Sequence, residues 1–236
     1  MEENNLGLKY ENRVVLFLDI LGFRNHIFNS IHDKNTFNNI CQVIEKINTY
    51  QDKFGKIPFR EVTTFSDSIV ISYPIDNMFL KRILHEIRDL VLILLEYDFV
   101  CRGGIGFGEL YHKGSVVFGP AMVKAYELES KHAIFPRVII CNEDVVKYSL
   151  NHLECDIQED EDGYYYFNIF NFYYSESGQM MYISQFLKSK LEKIINTNIS
   201  NSDERIRDKY KWLSNKLTEG LKKKFYFVPI EENKAE

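Results

Sequence analysis

The sequence predicts an α+β fold: an antiparallel or mixed sheet with helices on one face, close to the ferredoxin-like split βαβ arrangement. Three observations carry that expectation. Val14-Val15-Leu16-Phe17-Leu18 runs unbroken into Asp19, which reads as a strand buried on both faces. Residues 34–53 and 77–97 repeat apolar side chains at helical spacing. The other β-rich stretches come as hairpins between helices, in the order β-α-β-β-α-β-β-α-β, with no sustained parallel βαβ repeat.

In chain order, residues 1–12 are polar and loose. The first strand ends at Asp19, where an unpaired carboxylate is costly unless it holds a cation, caps a helix or does chemistry. Gly22 lets the backbone approach a ligand, and the helix that follows turns its free N–H groups and positive dipole end toward Asp19. That assembly suits a metal plus a polyphosphate; the plainer alternative is a strand-to-loop junction capped by Asp19. Phe37, Ile40, Cys41, Ile44 and Ile47 give the helix over 34–53 its apolar stripe, and Gly55 and Pro58 end it. Residues 59–65 and 68–73 form a hairpin with Ser66-Asp67 at its tip, stopped by Pro74. The helix over 77–97 has a wide apolar face from Phe79 to Leu95.

The strand over 99–110 holds Gly103, Gly104, Gly106 and Gly108, which predict a bulge or a close contact with something. Residues 115–118 make a short partner strand. Pro120 opens a helix to about 132, residues 136–141 form a strand, and Asn142 caps a short helix through Tyr148. The acidic tract 154–162 lacks the spacing of a calcium loop and reads as solvated. Tyr164 to Phe170 is strand-like, 179–198 and 203–218 are amphipathic helices with Trp212 and Leu213 as anchors, and 225–230 is a last strand or docking tail. With no linker or repeat, residues 1–150 read as a catalytic core and 151–236 as a C-terminal extension packed on it.

The totals exclude several classes. The chain has 236 residues, 45% of them hydrophobic, enough for a real core, with 18 Phe and 15 Tyr. Its net charge is −5 and its one basic block is Lys222-Lys223-Lys224, which disfavours nucleic-acid binding. Cys41, Cys101, Cys141 and Cys155 form no CxxC and read as buried thiols of a reducing compartment. Neither a signal peptide nor an apolar run of about 18 residues is found, so a soluble cytoplasmic protein is expected, without a membrane partner. The six His residues show no metal-ligand spacing. Should the hairpin lie beside strand one, Asp19 and Asp67 meet at one end of the sheet, and two acids repel unless a cation sits between them.

Phe17-Leu18-Asp19-Ile20-Leu21-Gly22-Phe23 resembles the first metal motif of class III nucleotidyl cyclases, and Phe65-Ser66-Asp67-Ser68 the second, usually Gly-Asp. Arg102-Gly103-Gly104-Ile105-Gly106-Phe107-Gly108 resembles that family's Arg-x-Gly-Ile strand, and Val117-Phe118-Gly119-Pro120 with its helix resembles the segment bearing late catalytic residues. The match spans about 13–145, and with 120–129 and Phe135-Pro136-Arg137 it looks most like the pyrimidine cyclases of the bacterial antiphage system called Pycsar.

The resemblance implies a class III cyclase sheet with a helical C-terminal extension. It also implies a homodimer, with each site built at the subunit interface, and two Mg²⁺ or Mn²⁺ ions on Asp19, Asp67 and the Ile20 carbonyl. The backbone of Leu21, Gly22 and Phe23 would cradle a nucleoside triphosphate whose ribose 3′-hydroxyl attacks the α-phosphorus. UTP is the first expected substrate and CTP the second, with a cyclic product read by a downstream effector.

By the same resemblance, Thr63 and the neighbourhood of Val116 fall at the base-reading positions, and neither suits the usual adenine or guanine contacts. Val123 and Glu127 stand where purine cyclases carry a transition-state Asn and Arg, leaving Lys124, Lys131 or Arg137 as candidates for the missing positive charge. Arg102 reads simply as a partner for a surface acid. The alternatives are an inactive nucleotide-binding or regulatory homologue and a purine cyclase. An RNA-binding RRM is disfavoured because only Phe107 is placed for base stacking.

Overall fold

The computed structural model describes residues 9–53, 59–150, 157–175 and 177–226. Gly55, Pro58, Cys155, the start of the acidic tract and the tail beyond Tyr226 lie outside them. The chain forms two compact units, Met1–Asn168 and Ile169–Glu236.

The first unit is organised around β1 (Glu11–Ile20), which pairs antiparallel with β3 (Ser68–Pro74) on one side and β4 (Cys101–Lys113) on the other. β2 (Glu61–Phe65) completes the hairpin with β3. Beyond β4, β6 (Val138–Ile140) runs parallel to it, β8 (Tyr165–Phe167) antiparallel to β6, and β7 (Ile157–Glu159) forms the far edge. β5 (Val116–Phe118) folds back on the end of β4. The sheet is therefore mixed. Residues 157–167, expected in the C-terminal extension, supply two of its strands.

Side-chain alternation divides β1 between two faces. Val14, Leu16, Leu18 and Ile20 share a face with Tyr73, which stacks on Phe79 of α3 (Asn77–Glu96) at 5.5 Å. α1 (Phe23–Ser30) leads into α2 (Lys34–Lys53), which packs along α3 and donates from the Tyr50 hydroxyl to Asp89. Cys41 is exposed on α2, while Ile40, Val43, Ile47 and Tyr50 form its buried stripe, so this thiol is not the buried one expected.

Val15 and Phe17 point to the opposite face and cluster with Val70, Leu110, Ala121 and Ala125, the last two from α4 (Pro120–Glu127). Helices thus cover both faces rather than one. The glycines explain how: a Cβ on Gly104 would stand 2.3 Å from the Ala125 carbonyl oxygen, and one on Gly106 2.2 Å from that of Ala121. The close contact expected of these glycines is with the backbone of α4. This helix continues as a π-helical turn, Leu128–His132. α5 (Asn142–Lys147) is preceded by Cys141, so Asn142 is its first residue and not its cap; Glu143 and Asp144 complement the positive dipole end there.

The second unit holds β9 (Phe172–Tyr174), α6 (Tyr182–Asn198), α7 (Glu204–Lys222) and β10 (Lys224–Tyr226). β9 and β10 pair in parallel, and Trp212 meets Phe170 edge-to-face at 5.9 Å. Among the described residues no helix is long and apolar enough to cross a membrane.

Candidate active site

The end of β1 and the β2–β3 hairpin tip bring Asp19 and Asp67 together. Asp19 pairs with Ser68 in register, and the Ile20 amide donates to the Asp67 carbonyl at 3.1 Å, which ties the tip to the strand end. Ser66 adopts φ 55°, turning the chain so that Asp67 follows at once. The Asp19 carboxyl titrates above the usual carboxylate range. Burial is the main cause and repulsion from Asp67 adds to it, with a hydrogen bond between the two carboxyls, while Arg102 works in the other direction.

Arg102 lies across from Asp19 in the β1–β4 register. Its Nε is 3.5 Å from Asp19 Oδ2 and 2.7 Å from Glu129 Oε1, a close ion pair not aligned as a hydrogen bond. Glu129 sits on the π-helical turn and is 3% exposed. Burial pushes its carboxyl up to about 7; Arg102 opposes this, and the charges of Asp19 and Asp67 add to it.

The donor set fits a hard divalent cation, because two converging oxygen ligands with an elevated carboxyl gain from a positive charge between them. No group of three or more His, Cys, Asp or Glu is arranged to hold a metal among the described residues. Gly22 precedes α1 in a left-handed conformation, φ 74°, with no side-chain cap, which leaves the first amides of α1 open to an anion. The Leu21 amide departs from expectation: it donates to the Val100 carbonyl at 2.8 Å and is not free for a phosphate.

The base-reading candidates meet elsewhere on the same face. Thr63 Oγ1 donates to the Gly114 carbonyl at 2.6 Å, just before Val116, which is exposed on β5. Having given its one proton, Thr63 accepts from His112 Nε2 at 2.9 Å. At the other ring nitrogen, Arg13 Nε donates to Ser72 Oγ at 3.0 Å, so the Ser72 proton goes to His112 Nδ1 at 2.9 Å. The chain of donors fixes one neutral tautomer, in accord with burial and Arg13 lowering the His112 pKa to about 4.

The expected charge donors are placed otherwise. Arg137 is buried and ion-paired with Asp160 and Asp162, so it anchors the 160–162 turn and cannot serve as a free cation. Lys124 Nζ lies 2.8 Å from Asp144, and Lys131 pairs with Glu127 at 2.6 Å. Val123 is exposed. Arg102, expected only to pair with a surface acid, and Glu129, to which the sequence assigned no role, stand beside the carboxylates. Only strand register could have brought Arg102 to Asp19, and only the π-helical turn could have placed Glu129.

No protein-family model matches the chain, and no curated protein does. Solved structures do. The chain is similar to the monomeric guanylyl cyclase domain of the RhoGC fusion protein from the aquatic fungus Blastocladiella emersonii, with 16% identity and a TM-score of 0.50 over 67% of this chain and 95% of that one. An adenylate/guanylate cyclase/hydrolase from Silicibacter pomeroyi aligns with a TM-score of 0.44 at 14% identity over 67% of this chain and 98% of that one. The fold is that of class III nucleotidyl cyclase domains.

Proposed function

We propose that the protein is a nucleotidyl cyclase that converts UTP, or CTP, to the 3′,5′-cyclic monophosphate and pyrophosphate, and that it makes this second messenger in antiphage defence. The convergence of Asp19 and Asp67 at the end of β1, on a cyclase fold, carries the reading. Asp19, Asp67 and the Ile20 carbonyl would hold two Mg²⁺ or Mn²⁺ ions, which when bound activate the ribose 3′-hydroxyl and neutralise the leaving pyrophosphate. The first amides of α1, at Phe23 and Arg24, offer hydrogen bonds and the positive dipole end to the triphosphate. Holding both reactants in one bound molecule leaves orientation as the main work of the protein side chains.

Thr63 is compatible with a pyrimidine and lacks the Lys or Glu with which purine cyclases read the base. Its hydroxyl proton is engaged by Gly114 and one lone pair by His112, so a base meets a single acceptor on a short side chain. Such an acceptor suits the N3–H of uracil or the amino group of cytosine.

A homodimer would place a second copy's Thr63 side against this Asp19. Phe65, Val116, Phe118, Val123 and Tyr126 leave exposed apolar surface for such a contact.

Incubation of the full chain with each of ATP, GTP, CTP and UTP plus Mn²⁺, with products identified by mass spectrometry, tests the reading. A cyclic monophosphate from UTP or CTP alone is expected, and Asp67→Asn should lower turnover at least about a hundredfold while leaving the melting curve unchanged. A purine product would overturn the Thr63 argument. Full activity in Asp67→Asn would remove Asp67 from the metal site.

A further inference from the structure

We infer that Glu129 is a positioning residue for the metal site: by drawing the Arg102 guanidinium to itself, it keeps Asp19 open to a divalent cation. The inference rests on the reading of Asp19 and Asp67 as metal carboxylates.

The geometry sets up a competition. Arg102 is the cross-strand neighbour of Asp19 and projects from the same face. A guanidinium matches a carboxylate fork in shape and charge, so an unrestrained Arg102 would close onto Asp19 and occupy the side of it that a cation needs. In the fold it leans to the other side: Nε is 2.7 Å from Glu129 and keeps only a longer ion pair with Asp19, at 3.5 Å. Glu129 reaches this position through the seat of α4. A Cβ on Gly104, two residues after Arg102, would stand 3.0 Å from the Glu129 backbone nitrogen, so the bare glycine admits the π-helical turn directly beside the guanidinium.

Charge acts in the same direction as shape. An uncompensated guanidinium within about 4–6 Å of Asp19 repels an incoming cation, and the ionised form of Glu129 offsets that repulsion. Glu129 is not itself placed as a metal ligand, since no three-carboxylate group is arranged for a metal among the described residues.

The test is Mn²⁺ binding by the full chain without nucleotide, read from the loss of the electron paramagnetic resonance signal of free Mn²⁺. Glu129→Gln is expected to weaken binding roughly tenfold, because Arg102 is then released toward Asp19. Arg102→Gln is expected to bind at least as tightly as the parent. Adding Glu129→Gln to Arg102→Gln should change binding less than about twofold, since no guanidinium is then left for Glu129 to hold away from Asp19.

Equal loss from Glu129→Gln with and without Arg102 would overturn the inference, as would unchanged binding in the single variant. If Glu129→Gln does not fold, Arg102→Gln decides alone, and weaker Mn²⁺ binding there overturns it. Parent protein that binds no Mn²⁺ would overturn the metal reading and this inference together. Parent binding that Asp67→Asn abolishes and Glu129→Gln leaves intact would overturn the inference only.

Discussion

Folding withdraws the His112 imidazole from water and sets it beside the Arg13 guanidinium, and both effects oppose its protonation. Protonation would also put an N–H on Nδ1 facing the hydroxyl proton of Ser72. The folded pKa of about 4 lies below the ordinary value of 6.5, so the unfolded chain binds the extra proton first. Stability from this group is therefore complete above pH 6.5 and is lost as pH falls toward 4, up to about 3 kcal/mol. Glu129 has the opposite sign: its folded pKa is raised, so its contribution is present at low pH and lost as pH rises through about 7. Urea unfolding of the parent and of His112→Gln at pH 7 and 4.5 separates the two. The parent should lose about 2–3 kcal/mol more than the variant on acidification; equal losses would show that His112 does not titrate as a buried base. At this scale the sequence was uneven. Asp19 and Asp67 stood out because an acid closing a buried strand and an acid at a hairpin tip are each odd by themselves. The His112 chain and the Arg102–Glu129 pair were invisible, because each joins residues whose proximity depends on register.

Among the elements, β1, α2 and α3 were legible because each is long enough for its apolar period to outweigh local noise. β7 and β9 were not: three residues are too few to show alternation, and what makes them strands is pairing, β7 with the neighbouring β8 and β9 with β10 much further along the chain. The glycines of β4 announced a close contact without saying with what. Since the obstructing atoms are the Ala125 and Ala121 carbonyl oxygens, and not side chains able to rotate away, Gly104→Ala and Gly106→Ala should each destabilise the fold by about 1–3 kcal/mol or more. Chemical denaturation measures this. Unchanged stability in either variant would mean that α4 is not held at this distance.

For the molecule as a whole, the order of elements predicted an α+β sheet correctly, and the parallel step from β4 to β6 makes that sheet mixed. The sequence placed the end of the core at 150, whereas the first compact unit runs to Asn168. Truncation compares the two. A chain ending at Asn168 keeps β8 on the outer edge of β6, while one ending at Leu150 leaves that edge bare. The shorter chain should melt at least about 5 °C lower by circular dichroism; equal melting would show that β7 and β8 add nothing to the unit. A helix seated on naked backbone leaves no side chain between it and the strand to rearrange, so the spacing of α4 from β4 is set by backbone atoms alone.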